Sequence, residues 1–140
     1  MNFRCIFTAL FLVASSTLVR QTNADECKDF LKTMLMDQMK HVVPCITGLG
    51  LSKPHEKKEK VFCIMKCVLQ KAQMLGADGN VDFDLVNKLL DGIPASLKDK
   101  ANNIFSECGH LAADLDPNQP NCDSYAPLLT CVTDIGAKMC

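Results

Sequence analysis

The chain has 140 residues, a net charge of −1, nine cysteines, seven methionines and no tryptophan. Near-neutral charge without a basic stripe excludes nucleic acid and an anionic membrane surface as the main partner, and the length suits one domain. Residues 1–24 read as an export signal: Arg4 opens it, CIFTALFLVASSTLV is its apolar run, and TNA sets small residues before a cleavage point that leaves Asp25 first. Fifteen apolar residues fall short of the roughly 20 that span a bilayer. Residues 25–140 then hold eight cysteines, and 13 lysines against 16 acidic residues, a net charge of −3.

In chain order, Cys27, Phe30, Leu31, Met34, Leu35 and Val42 recur at helical spacing after the capping candidates Asn23 and Asp25, and Pro44 is expected to end that helix. GLGLSKPHEKKEK reads as a polar connector with room for a turn of helix. Val61–Leu75 is apolar almost all round at its start and reads as a central, buried helix. After the GADGN break, Asp82 is placed to cap FDLVNKLLDG, which Gly92 and Pro94 stop. Leu97, Ala101, Ile104, Phe105, Cys108 and Leu111 form the clearest core-facing stripe. DLDPNQPN is a loop, and Tyr125, Leu128, Leu129, Val132 and Ile135 form the last stripe, with Pro127 delaying or kinking its start. No segment alternates with the period of two that a strand requires, so the fold class is all-α.

An even number of cysteines in an exported chain predicts a disulfide framework. Within VFCIMKCVLQ, Cys63 and Cys67 lie one helical turn apart, about 5–6 Å between Cβ atoms, whereas a disulfide needs roughly 3.8 Å. Each must therefore reach a different neighbour, which makes this helix a hub. Cys122 and Cys131, nine residues apart, would point to opposite sides of a continuous helix and tether two different partners. Eight cysteines allow 105 pairings, and spacing does not choose among them.

The order Cys45, then CIMKC, then Cys108 after 40 residues, Cys122 after 13 and Cys131 after eight resembles the six-cysteine signature of insect odorant-binding proteins of the pheromone/general odorant-binding family. GLGLS, ADGNVDFDLVNKLL and SLKDKANNIFSEC read like that family as well, so the likeness covers nearly all of residues 25–140. It implies a compact disulfide-linked bundle of about six helices enclosing a hydrophobic cavity, with the pairs Cys45–Cys67, Cys63–Cys122 and Cys108–Cys131. The segment between Cys45 and Cys63 is short for the family, which suggests an abbreviated second helix. Cys27 and Cys140 are extra, and as the leftover pair they are expected to form a fourth bridge. Cys45 rather than Cys27 is taken as the first signature cysteine because it stands at the end of the first helix.

The implied function is that of a secreted, extracellular carrier of odorants, pheromones or other small lipophiles. A secreted gland or venom protein acting on a protein partner on the same scaffold is the alternative. The expected partners are a small hydrophobic molecule and, as a further candidate, an olfactory receptor; nucleic acid and membrane insertion are not expected, and the chain is expected to be a monomer or weak dimer. Phe30, Met34, Phe62, Met65, Leu89, Phe105, Leu128 and Val132, on the inward stripes, are expected to line the cavity, with Ser106 and Tyr125 orienting a polar ligand atom. The methionines suit an adaptable apolar surface.

No catalytic constellation is present, so no enzyme is expected, and no cofactor. DGNVD resembles a calcium loop, but Phe83 stands where glycine is needed and Leu89 where a bidentate glutamate is needed. A zinc site of Cys63, Cys67 and a histidine is set aside because exported thiols oxidise. His41, His55 and His110 read as ordinary surface histidines. Only VTDIGAKMC follows Cys131, and it is expected to finish the last helix. A plug of the kind that some family members insert at low pH is therefore not expected, and acidification should change affinity only modestly.

Overall fold

The computed structural model describes the backbone from Phe3 and the side chains from Asp25; the export-signal reading of residues 1–24 falls outside the described side chains. Among the described residues six α-helices and two short 3₁₀ turns follow one another: α1 (Phe3–Gly48), α2 (Pro54–Glu59), α3 (Val61–Lys71), α4 (Phe83–Asp91), α5 (Ala95–Cys108), the turns Gly109–Asp114 and Asp123–Tyr125, and α6 (Ala126–Gly136). Among the described residues there is no strand, only an isolated antiparallel bridge between Leu75 and Val81.

Helix α1 departs from expectation at both points where punctuation was read. It runs continuously through Asn23 and Asp25 and through Pro44. A proline inside a helix forfeits one hydrogen bond and costs about 3 kcal/mol. Here tertiary packing offsets that cost, because Val42, Cys45 and Ile46 on either side of Pro44 pack with Ile64 and Val68 of α3. The helix stops instead at Gly48, and Gly50 just beyond it has a φ of +68°, which suits glycine. Gly50 N–H donates to Thr47 O at 3.0 Å and Leu51 N–H to Ile46 O at 3.1 Å, a Schellman cap closed by contact between Leu51 and Ile46.

The short α2 starts at Pro54, and the Glu56 carboxylate accepts from the Ser52 and Lys53 amides at 3.2 and 3.0 Å. Helix α3 ends at Lys71, four residues before the expected Leu75, where Gln73 turns to a φ of +58°. Asp82 caps α4 as expected, its Oδ1 accepting from the Asp84 and Leu85 amides at 2.9 and 3.2 Å. Leu111, read as helical, lies in the 3₁₀ turn after α5. Pro127 falls in the first turn of α6, where its missing N–H leaves no bond unmade. That helix ends at Gly136 rather than continuing through Met139.

Four disulfides tie these elements: Cys27–Cys140, Cys45–Cys67, Cys63–Cys122 and Cys108–Cys131. These are the three pairs the family resemblance implies, together with the leftover pair. Most of the buried side chains among the described residues form three separate clusters. One joins Cys63, Leu75, Cys122 and Tyr125; a second joins Cys27, Leu97 and Met139; a third joins Cys45, Ile64 and Val68. Each contains at least one disulfide-bonded cysteine, so covalent links do part of the work that a single continuous core does in larger domains.

Candidate ligand-binding site

Helix α3 is the hub of the molecule. Its Cys67 holds α1 through Cys45 and its Cys63 holds the Asp114–Cys122 loop through Cys122, with Cα separations of 5.8 and 5.2 Å. Lys66 on the same helix and Lys60 at its N-terminal cap fasten that loop again. Lys60 Nζ donates to Pro120 O and to Asn121 Oδ1, each at 2.7 Å, and Lys66 Nζ donates to Pro117 O at 2.7 Å. Lys66 also lies over the Tyr125 ring, 5.6 Å from its centroid, a cation–π arrangement.

Tyr125 is completely buried, and its hydroxyl donates to Gly79 O at 2.6 Å. Burial, and then the negative charges of Asp78 and Asp116, push its phenol above the usual tyrosine range. The neutral phenol is thus the form the fold accommodates. Stability from this group is fully present below pH 10, the unfolded value, and is lost as pH rises through the higher folded value. Tyr125 is the sole tyrosine, so its absorbance reports it alone. Alkaline titration of the native protein should show the phenolate appearing only above pH 10, together with loss of helical signal. A Tyr125→Phe protein should lack that alkaline destabilisation; if it unfolds over the same pH range, the attribution is wrong.

The residues singled out for the site occupy three kinds of position. Phe62 packs on the Tyr125 cluster and Phe30 on the Leu97 cluster. Met34, Met65 and Leu128 are half-buried yet belong to none of the three clusters. Leu89, Phe105 and Val132 are exposed, at 40, 36 and 40%. Of the two polar candidates, Tyr125 already has its hydroxyl proton on Gly79, and Ser106 is exposed with its hydroxyl donating to Asn103 O at 2.9 Å within α5. The residues not anticipated are Gly79, Lys66 and Pro117, which close the Tyr125 pocket. A lysine interrupting the apolar run of α3 was the available signal.

An open groove of about 350 Å³ lies on the other side of the Gly76–Asp84 turn, lined by Gly76, Asp78, Asn80, Val81, Asp82, Phe83 and Asp84. Two of its three carboxylates have partners already. Asp78 accepts from Asn80 N at 3.0 Å and Nδ2 at 2.8 Å, which draws its carboxyl below the usual range, and Asp82 caps α4. Among the described residues no group of three or more His, Cys, Asp or Glu side chains is arranged to hold a metal ion, and no helix is long and apolar enough to cross a membrane.

The PBP/GOBP family model matches residues 19–134, well over half of the chain. The chain belongs to the PBP/GOBP family. That membership accounts for the six signature cysteines, their three bridges and the helical architecture, and it makes the chain one of a family of small-ligand carriers rather than enzymes. Cys27 and Cys140 add a fourth bridge to the PBP/GOBP set. No curated protein and no solved structure matches the chain significantly.

Proposed function

We propose that this protein, once residues 1–24 have been removed on export, carries small neutral lipophiles in an extracellular fluid and holds them between its helices. The observation that carries this reading is the divided core. Met34, Met65 and Leu128 are half-buried and join none of the three clusters, which supports reading them as apolar surface kept for a ligand rather than for the core. In this reading Phe30 and Phe62, each packed on one of the clusters, and the exposed Leu89, Phe105 and Val132 complete the surface offered to the ligand. Burying about 300 Å² of an apolar ligand contributes roughly 7 kcal/mol before entropic costs, which supports micromolar affinity.

The preference for neutral ligands rests on the polar inventory. Among the described residues no charged side chain is buried, and no buried side-chain nitrogen or oxygen lacks a hydrogen-bond partner. A carboxylate drawn into such a region would lose its hydration without gaining a partner. Displacement of a fluorescent lipophile by a long-chain alcohol, an ester and a fatty acid tests both statements. The alcohol and ester should displace at micromolar concentration and the ionised acid at least about tenfold less well; Leu128→Asp should weaken all three. If no neutral lipophile displaces the probe, the carrier reading fails and a protein partner becomes the better one. Displacement unaffected by Leu128→Asp places the ligand elsewhere.

A further inference from the structure

Residues 25–140 contain no arginine and 13 lysines, of which eight stand in α-helices of nine residues or more. The other five are Lys138 and four lysines of the connector between α1 and α3: Lys53, Lys57, Lys58 and Lys60. An endopeptidase that cuts after a basic residue takes its substrate as an extended segment, so it needs a lysine whose backbone can unfold locally. Lys138 adjoins the buried Met139, whose carbonyl accepts from Lys100 Nζ at 2.6 Å. Lys53 precedes Pro54, whose ring restricts the backbone on both sides of that bond and removes its N–H. Lys60 caps α3 and keeps its Nζ on Pro120 O and Asn121 Oδ1. The adjacent pair Lys57 and Lys58 remains, half-buried and exposed respectively.

We propose that the Lys57–Lys58 pair is a site of limited proteolysis by an extracellular endopeptidase of basic-residue specificity, and that the cut leaves a folded, two-chain protein. Helix α2, which carries the pair, has six residues and none of them is buried. The bonds that hold it are local: Lys57 N–H donates to Lys53 O at 3.2 Å, Lys60 N–H to Glu56 O at 3.0 Å, and the Ser52 and Lys53 amides to the Glu56 carboxylate. A helix this short is not stable by itself, and none of the three buried clusters draws on residues 52–60. It can therefore open while the rest of the molecule stays closed. Hydrolysis breaks the amide C–N bond after the lysine; water supplies OH to the carbonyl carbon and H to the departing nitrogen. The upstream piece keeps Cys27 and Cys45, and the other six bridged cysteines lie downstream. Cys27–Cys140 and Cys45–Cys67 then join the two pieces, and Cys63–Cys122 and Cys108–Cys131 lie wholly within the downstream one. The fourth bridge thus doubles the covalent links across the cut.

Limited digestion of the secreted, oxidised protein with trypsin, followed by mass with and without reductant, tests this assignment. One early product is expected: heavier than the intact chain by one water when unreduced, split on reduction into two fragments that meet after Lys57 or Lys58, and unchanged in circular dichroism. The rate of the cut should stay flat in low urea, because opening α2 exposes little surface. Lys57→Gln/Lys58→Gln, shown by circular dichroism and non-reducing mass to be folded and fully bridged, should stay intact over the same period. A first cut after any other lysine overturns the proposal, as does a rate that climbs with urea as steeply as global unfolding does. Cleavage of the double variant after Lys60 at the wild-type rate would show that the lysine's bonds to Pro120 and Asn121 protect nothing, and overturns it too. Fragments that separate without reductant, or a nicked protein that loses its helical signal, would overturn the folded two-chain product.

Discussion

Gly79→Ala should lower stability by about 2–4 kcal/mol, the largest loss expected from any single added methyl group in this molecule. Two costs coincide at this position. Gly79 has a φ of +85°, where an L side chain is strained, and a Cβ built there lies 2.8 Å from Lys66 Cε, 2.9 Å from Tyr125 Oη and 3.1 Å from Pro117 Cβ. The lysine methylene could move aside. The tyrosine could not, because it is fully buried and its hydroxyl is bonded to this same residue's carbonyl. Displacing it breaks a buried hydrogen bond as well as the packing on Cys63, Leu75 and Cys122. Gly50→Ala is the control: its φ is also positive, but nothing lies within 4 Å of its Cβ, so only backbone strain of about 1–2 kcal/mol applies. Thermal unfolding with the disulfides intact should separate the two, at several degrees per kcal/mol for a domain of this size. Equal midpoints for the two variants would show that the close approach does not matter.

Removing the Cys27–Cys140 bridge by the double substitution Cys27→Ser/Cys140→Ser should cost about 4–5 kcal/mol in the chain-entropy account of cross-links. The bridge spans a sequence separation of 113, the longest of the four. Its loss also frees a packed end of the chain. Met139 is buried beside Cys27 and Leu97 with Phe30, Leu31, Ile93 and Ile104 around it, and Lys100 Nζ donates to Met139 O at 2.6 Å. Ser96 Oγ adds a link to Glu26 at 2.7 Å. Hydrogen exchange should therefore accelerate first at residues 25–31 and 136–139, while the α1–α3 contact held by Cys45–Cys67 stays protected. A denaturation midpoint unchanged by the double substitution would mean that noncovalent packing alone holds the two ends.

Much of this organisation was legible in the sequence, for identifiable reasons. The divergence of Cys63 and Cys67 follows from helix geometry alone, and the structure sends them to different elements. The Asp82 cap was legible because its bonds are local. Pro44 misled because its intrinsic cost is local while the compensation, contact with Ile64 and Val68, is not. Leu111 was read as helical from spacing and Met139 as the finish of the last helix, but the chain leaves the helix before each of them. Leu89, Phe105 and Val132 fit apolar stripes as well as Leu97 and Ala101 do. Periodicity names a face but not what covers it, and these three are the exposed members. The partner of the Tyr125 hydroxyl lies 46 residues away in a tight turn, and no local pattern announces such a pairing.

The division of the core has an evolutionary consequence. In a domain with one continuous interior, each residue that shapes a binding surface also supports the fold, so a change of preference risks loss of structure. Here Cys27, Cys45, Cys63, Cys108 and Tyr125 lie in buried, cross-linked positions, while Met34, Met65 and Leu128 stand apart from every cluster. On the carrier reading proposed above, substitutions at those three positions fall outside the buried clusters that hold the fold. Their side chains can drift in size and shape while the cysteine framework stays fixed, so such a scaffold can diversify what it recognises without repeatedly rebuilding itself.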